Sequence, residues 1–438
     1  MALKLFTLFL IIITFGIFLI FFQAFLVEFY SNNGEVIVFD SKTSIILWWT
    51  PFGSFNKVRK CDYSHCYFTS NRTLEYHQQL KAILYYGSNF KIEDLPRWRS
   101  PLLIWGLMHE ESPRNNPILV HEETLNLFNY SSTFSRYSDI PLNLIDLPSL
   151  EKLTGNEYFV KTKDKNIVMN RENLSSILYI QSDCETASDR DLYVKELMKH
   201  IPIDSYGACL NNRNLSERLK ENHLEILNHD EFLHFVAKFK FTIAFENAIC
   251  NDYITEKLWR PLIVGSVPIY YGSPSFKDWL PNVNSAISIL DFSGPKELAD
   301  HISFLSSNDL EYEKHLSHKL NNQDEKVTNR NLTNALKNRI QGVINEFGVY
   351  VEQFECFICK KVQNDILQQN MVKKEHLDCP MPKNPLTNQI DENNWWVSQW
   401  KIEKCAGKLL NQYINNNISI SINTFNKKKL ELYERNNC

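Results

Sequence analysis

Residues 240–292 read KFTIAFENAICNDYITEKLWRPLIVGSVPIYYGSPSFKDWLPNVNSAISILDF. Phe241–Phe245 is a short apolar run bounded by charged residues, the pattern of a buried parallel strand. Glu246 and Asn247 follow at its carboxyl end, where α/β sheets place ligand groups. Thr255 predicts an N-cap, with Glu256 and Lys257 in the first helical turn. The helix runs to about Val264 and stops at Gly265. Val267–Tyr271 predicts the next strand and Gly272–Pro274 a turn. Lys257 sits against the helix dipole, whereas free backbone N–H groups there favour an anion. A phosphate nearby would account for the lysine. An ordinary βαβ unit with an exposed lysine is the plain alternative.

Working outward, Ile177–Ile180 and Ala286–Leu290 read as further strands, and Asp189–His200 as a helix. Alternating strands and helices define βαβ units. A separate set lies nearer the N-terminus: Ile45–Trp49, Ala82–Tyr86 and Leu102–Leu107. Two sets predict an α/β protein of two Rossmann-like lobes with a ligand cleft between them. The joint is expected near Glu151–Arg171, where Lys161–Asn166 is highly polar. No GxGxxG, P-loop or internal repeat is present. From about Val351 the alternation stops. The last ninety or so residues hold five of the ten cysteines and Trp395, Trp396 and Trp400, which predicts a small disulfide-tied core.

The 438 residues carry 47 Lys plus Arg against 51 Asp plus Glu, a net charge of −4. A duplex-binding protein is normally basic, so nucleic acid is disfavoured and any phosphate contact is local. Apolar residues at 44% and charged residues at 22% exclude a disordered or fibrous chain. Residues 5–27 form an uncharged apolar run, long enough to span a bilayer and too long for a cleaved signal core. Lys4 precedes it, which favours a cytoplasmic N-terminus and a luminal body. The expected division is a cytoplasmic tail (1–4), a signal-anchor (5–27), an N-terminal lobe (28–165), a C-terminal lobe (166–350) and a cysteine-rich extension (351–438). Sequons at Asn71, Asn129, Asn173, Asn214, Asn331 and Asn417 agree with a luminal body.

In an oxidising lumen Cys61 and Cys66, and the C-x-x-C of Cys356 and Cys359, read as disulfide cysteines, with their pairing open. A zinc site at Cys356, Cys359, Cys379 and Cys405 is the rival reading, without a second C-x-x-C or a His pair to support it. Redox activity of the C-x-x-C needs a thioredoxin-like context that the flanks lack. Asp189-Arg190-Asp191 is a D-x-D, a pattern that holds a divalent metal in many sugar-nucleotide transferases. Here Ser188 and Asp191 more naturally form a capping pair at a helix start.

The ordered series FENAICNDYITEK, GSVPIYYGSP and ILDF over Phe245–Phe292 resembles the signature of the α1,3-fucosyltransferase family. Weaker matches spread over most of the luminal chain: WWTPFG (Trp48–Gly53), HEESPRNN (His109–Asn116), FNYSSTFSRYSDIPL (Phe128–Leu142) and DSYGACLNNRN (Asp204–Asn214). The HEESP form and the C-x-x-C tail resemble a divergent branch, labelled alpha-(1,3)-fucosyltransferase 10 or 11 and also described as protein O-fucosyltransferases acting on EMI domains. The resemblance implies a GT-B fold, with GDP-β-L-fucose bound by the C-terminal lobe and the acceptor by the N-terminal lobe. It implies inverting transfer in one displacement, without a metal ion or other cofactor, in the endoplasmic reticulum or Golgi. The acceptor is a glycoprotein, through either a glycan hydroxyl or a Ser or Thr. A luminal glycoprotein-binding factor that keeps the fold but lacks activity is the rival of another class.

Such a reaction needs a carboxylate to take the acceptor proton and cations or N–H groups to take the charge of the leaving diphosphate. Glu111 matches the family's E-S-P glutamate and is the expected base, with Glu110 as runner-up and His109 as a tuning neighbour. Lys257 matches the lysine of the T-E-K element, and Arg213 the family's upstream phosphate-binding arginine. The resemblance further implies ribose hydroxyls for Glu256, the phosphates or fucose for Tyr253, a donor role for Asn247 and loop support for Glu246.

Overall fold

The computed structural model describes residues 43–438 apart from 54–55, 97–98, 221–228, 323–324, 340–346, 364–369 and 420. The expected tail and signal-anchor lie outside the described residues. Among those described, no helix is long and apolar enough to cross a membrane.

Two sheets organise the chain. The first contains β1 (Ser44–Thr50), β2 (Asn56–Cys61), β3 (Ser64–Thr69), β4 (Leu80–Tyr86), β5 (Ile104–His109) and β6 (Tyr130–Thr133), in the order β2-β3-β1-β4-β5-β6. The second contains β7 (Ile177–Tyr179), β8 (Ile203–Ser205), β9 (Phe241–Phe245), β10 (Val267–Tyr271) and β11 (Ile287–Ser288), in the order β11-β10-β9-β7-β8. All pairings are parallel except that of β2 with β3. The α/β architecture therefore matches the sequence expectation. β9 and β10 cover the residues predicted for them and pair from Val267–Phe241 to Tyr271–Phe245.

Three features escape the apolar-run criterion. The β2–β3 hairpin carries the polar edge strand NKVRKC, half exposed to solvent. β6 is YSST, polar yet buried. It is tolerated because its hydroxyls are spent inside the protein: Ser132 Oγ donates to the Ile140 carbonyl at 2.9 Å. β8, IDS, is only three residues long.

The chain changes lobe earlier than the polar segment 161–166 suggests. Leu144, Leu147 and Leu153 already belong to the core of the second sheet. Residues Thr162–Glu172 form a helix. Its Lys165 is fully buried and donates from Nζ to the Ala237 and Phe239 carbonyls at 2.6 and 2.8 Å. A lysine counted as linker polarity is thus a structural donor. The helix predicted at Asp189–His200 is present as Arg190–Leu197. The Ser188–Asp191 cap is not formed: Asp189 adopts φ +51°, and Ser188 Oγ donates to the Glu246 carbonyl at 2.6 Å.

The C-terminal segment has no separate core, contrary to the sequence expectation. Helix Phe347–Gln363 packs Tyr350, Val351, Phe354 and Ile358 onto the first sheet. Its Glu355 is fully buried and accepts from Trp48 Nε1 at 2.9 Å and from Arg59 Nε at 2.6 Å. Leu377, Ala406, Leu410 and Phe425 join the other face of the same lobe. The C-x-x-C does not close on itself and no zinc site forms from these cysteines. Cys356 pairs with Cys61 and Cys359 with Cys66, stapling the helix to the β2–β3 hairpin. The remaining pairs are Cys184–Cys209, Cys250–Cys379 and Cys405–Cys438, so all ten cysteines are consumed. Linking residues so distant in sequence restricts the unfolded chain by about 2–4 kcal/mol per bridge.

One ion pair locks the lobes together. Arg136, just after β6, grips Asp252 from the second lobe through Nε–Oδ2 at 2.8 Å and Nη2–Oδ1 at 2.6 Å. Asp252 is 2% exposed and also accepts from Ser275 Oγ and Trp279 Nε1 at 2.7 and 2.9 Å. Burial raises its pKa, but the hydrogen bonds led by Arg136 outweigh that and hold the carboxyl below its ordinary value. Arg136→Ala leaves this carboxylate buried without its cation, and a loss of about 3–5 kcal/mol in chemical denaturation is expected. A loss below about 1 kcal/mol would show that the lobes are held elsewhere.

Candidate active site

A cleft of about 410 Å³ lies between the lobes. It brings Glu110 and Glu111, which follow β5, opposite Asn247, Tyr253, Glu256 and Lys257 of the second lobe. Phe134, Leu142, Ile145 and Phe347 supply apolar wall.

The second-lobe wall is built on Glu246. Its backbone N–H donates to the Tyr271 carbonyl at 2.8 Å, extending the β9–β10 ladder by one residue. Its carboxylate is fully buried and accepts from Thr255 N–H and Thr255 Oγ1, each at 2.8 Å. Glu246 therefore supports the loop, as the resemblance implied. Gly272 is required beside it: a Cβ there would stand 2.6 Å from Glu246 Cγ and 2.4 Å from the Tyr270 hydroxyl. Thr255 caps helix Glu256–Val264 by accepting from Lys257 N–H, and the helix ends at Gly265 with φ +71°. Both ends stand where the sequence predicts.

Lys257 has a local explanation that needs no phosphate. Its Nζ lies 3.1 Å from Glu256 Oε1, 3.1 Å from Thr255 Oγ1 and 3.7 Å from Glu246 Oε2. Burial lowers the lysine pKa, but Glu256 and Glu246 outweigh it and hold the ammonium above its ordinary value. Burial likewise disfavours the Glu256 carboxylate, yet Lys257 and Arg260 hold it ionised, below the usual range. The carboxylates on either side thus cancel the unfavourable dipole placement.

On the first-lobe wall, burial pushes Glu110 up to about 7 against the opposing hydrogen bond from the Tyr86 hydroxyl, 2.5 Å from Oε1. Burial also raises Glu111, and Lys257 opposes that rise across the cleft. Glu111 therefore feels the second lobe, whereas Glu110 is tied back to Tyr86. His109 is fully buried, packs under Gly87 and is held neutral by burial, at about 4. It is not among the residues lining the cleft.

Tyr253 is buried against Phe134, with ring centroids 5.0 Å apart. Asn247 keeps its side-chain carbonyl buried without a partner. Arg213 is not brought to the cleft. Its Nε is paired with Asp204 Oδ1 at 3.1 Å, and its Nη2 donates to the Asn173 carbonyl at 2.6 Å. The D-x-D acids are structural partners: Asp189 Oδ2 accepts from Asn394 Nδ2 at 2.7 Å, and Asp191 Oδ1 accepts from the Tyr179 hydroxyl at 2.5 Å. A geometric cluster of Cys184, Asp191 and Cys209 cannot offer thiolates, because the two cysteines are bonded to each other.

Among the sequons, Asn173, Asn214, Asn331 and Asn417 are exposed and Asn71 is half-buried. Asn129 has both amide atoms engaged: Oδ1 accepts from Trp105 N–H at 2.8 Å, and Nδ2 donates to the Asn370 carbonyl at 3.0 Å. Its nitrogen is therefore committed to the fold.

Two charged residues at the site have no motif signal. Asp146 lines the cleft from the crossover between lobes. Arg260, one turn after Glu256, sets its guanidinium over the Phe232 ring at 5.2 Å and acts electrostatically on Glu256 and Asp146. Helical spacing from Glu256 places Arg260 on the same face. Nothing local in NLIDLP marks Asp146.

The cleft thus sets a carboxylate of one lobe opposite a lysine at a helix start of the other. Comparisons with known proteins give the class. Residues 40–144 match the family described as "Fucosyltransferase, N-terminal", and residues 170–376 match "Glycosyltransferase family 10 (fucosyltransferase) C-term". The chain is 40% identical over 400 residues to human GDP-fucose protein O-fucosyltransferase 3, covering 87% of this chain and 81% of that protein. The Danio rerio protein of the same name is 38% identical over 402 residues, covering 89% and 86%. A crystal structure of an α1,3-fucosyltransferase with GDP-fucose aligns at TM-score 0.42 and 17% identity, over 76% of this chain and 94% of that one. The chain belongs to glycosyltransferase family 10, and it is a fucosyltransferase.

The raised Glu110 carboxyl has a stability consequence. Its contribution is fully present below the unfolded carboxyl pKa, near 4.5, and is lost as pH rises through its folded value near 7. Glu110→Gln removes this loss. The stability of the variant relative to wild type should rise by roughly 2 kcal/mol between pH 5 and pH 8 in denaturant titrations. A pH-independent difference would show that Glu110 ionises freely.

Proposed function

We propose that this chain transfers L-fucose from GDP-β-L-fucose, with inversion, to a Ser or Thr hydroxyl of a protein acceptor. The observation that carries the proposal is that one cleft sets Glu111 of the first lobe against Lys257, Glu256, Tyr253 and Asn247 of the second. The names of the 40%-identical relatives support the donor and the protein acceptor. An inactive binding factor is not favoured, because it has no need to hold a half-buried, ionised Lys257–Glu256 pair beside the glutamate of the E-S-P element.

In this reading the two sheets are the Rossmann-like lobes of a GT-B enzyme. The diphosphate lies against Lys257, at the start of helix Glu256–Val264. Glu256 accepts from ribose hydroxyls, and Asn247 and Tyr253 border the diphosphate and fucose. The acceptor hydroxyl attacks fucose C1 from the face opposite the diphosphate. The new O–C1 bond forms as the bond from C1 to the β-phosphate oxygen breaks. Glu111 takes the hydroxyl proton, and GDP leaves with the bonding pair. A single displacement turns the β-donor into an α-linked product. Lys257 meets the charge that grows on GDP. Arg213, paired with Asp204, takes no part in this assignment.

The assignment uses no divalent ion: Lys257 is the cation beside the diphosphate, and the D-x-D acids are engaged elsewhere. Glu111→Gln should lower transfer by at least about a thousandfold in a GDP-release assay with EDTA present, while GDP binding stays within about twofold. If Glu110→Gln has that effect instead, the base is misassigned. Dependence of the wild-type rate on added Mn²⁺ would sink the metal-free reading.

We place the enzyme in the endoplasmic reticulum or Golgi membrane as a single-pass type II protein, its catalytic part luminal. The apolar run 5–27 and five disulfides support this. In sealed microsomes the lobes should resist added protease until detergent is present. Cleavage of the lobes without detergent would reverse the topology.

A further inference from the structure

The roles assigned above leave Asp146 unexplained. It belongs to neither sheet. The stretch after β6 carries it into the cleft at the point where the chain crosses to the second core, between Leu144 and Leu147. Its carboxyl receives the backbone N–H of Glu256, the first residue of the helix behind Lys257. Glu256 and Glu246 face it as like charges, and Lys257 and Arg260 as opposite ones. One terminal nitrogen of Arg260, Nη2, is buried without a partner.

The charge balance of the cleft decides what Asp146 can contact. Four carboxyls line it, from Glu110, Glu111, Asp146 and Glu256, against the single ammonium of Lys257. A diphosphate is repelled by a neighbouring carboxylate and belongs with Lys257. A sugar is neutral and offers hydroxyl donors, which suit carboxyl acceptors. Glu111, Asp146, Tyr253 and Glu256 line the same cleft. Glu111 fixes which part of the donor lies there. A base must be within hydrogen-bond reach of the hydroxyl attacking C1, so the transferred sugar sits beside it.

We infer that Asp146 is a specificity-determining residue that accepts hydrogen bonds from the hydroxyls of the transferred sugar, so that the site distinguishes GDP-fucose from bare GDP. The inference rests on the donor assignment made above and adds the residue that reads the sugar. Burial pushes the Asp146 carboxyl above its ordinary range, which lessens its repulsion of the diphosphate nearby.

The test is titration calorimetry on the purified full chain with GDP-fucose and, separately, GDP. Asp146→Ala should weaken GDP-fucose about tenfold, the scale of one strong hydrogen bond, and leave GDP within about twofold. Asp146→Asn, which keeps the shape and one acceptor oxygen, should fall between the wild type and Asp146→Ala. Retained GDP affinity reports that the variant is folded. Equal weakening of both nucleotides, or of neither, overturns the inference while leaving the donor assignment intact. A wild-type chain that binds neither nucleotide overturns the donor assignment and this inference with it.

Discussion

The Asp252 carboxylate, 2% exposed, is held by the Arg136 guanidinium from the other lobe, and the cleft depends on that contact. The walls of the site come from separate sheets, so their spacing is set by whatever joins the lobes. Asp252 lies between Asn247 and Tyr253, in the loop that supplies two of the cleft residues. An error there would move the second-lobe wall against Glu111, and displacements near 1 Å are enough to weaken an enzymatic reaction. The same loop is fastened from a second direction. Cys250 is bonded to Cys379, and Asn251 N–H donates to the Asp378 carbonyl at 2.9 Å. The strand of chain that carries Cys379 is tied in turn to β6: Ser131 Oγ is 2.8 Å from His376 Nδ1, and Ser135 Oγ donates to the Glu375 carbonyl at 2.6 Å. The C-terminal segment thus works as a clasp across both lobes.

Inside that frame the second-lobe wall is arranged by charge. A fully buried Glu246 is costly unless every lone pair is used. Thr255 donates to it twice and the Lys257 ammonium lies 3.7 Å away as its counter-charge, which brings the helix start and the lysine to one place. Protein groups hold the lysine and the helix start in place, which limits their reorganisation beside a developing negative charge. Glu110 and Glu111 show the same economy on the other wall. One is tied to Tyr86, and the other faces the second lobe.

Much of this was legible in the residues. The apolar runs of β9 and β10, the Thr255 cap and the Gly265 stop are local signals and stand where they were read. The motif order placed Glu111, Glu256 and Lys257 in one site. Less legible were elements whose stability is not local. β6 is polar, and only its partners in the C-terminal segment make its burial tolerable. Lys165 reads as linker until the Ala237 and Phe239 carbonyls meet it. Ser188 reads as a cap, yet its hydroxyl is drawn to the Glu246 carbonyl instead. Arg213 matches a phosphate-binding pattern, but Asp204 competes for it at 3.1 Å.

The sequence by itself determined the α/β fold class, the helix Glu256–Val264 and the place of Glu111, Tyr253 and Lys257 in its motifs, because hydrophobic periodicity, capping and motif order act over a few neighbouring residues. The tertiary structure alone decided which cysteines pair, that the C-terminal segment clasps the lobes rather than standing apart, and that Asp146 enters the cleft. Each of these depends on groups far apart in the chain, whose meeting is fixed by packing and by the need to satisfy buried charge.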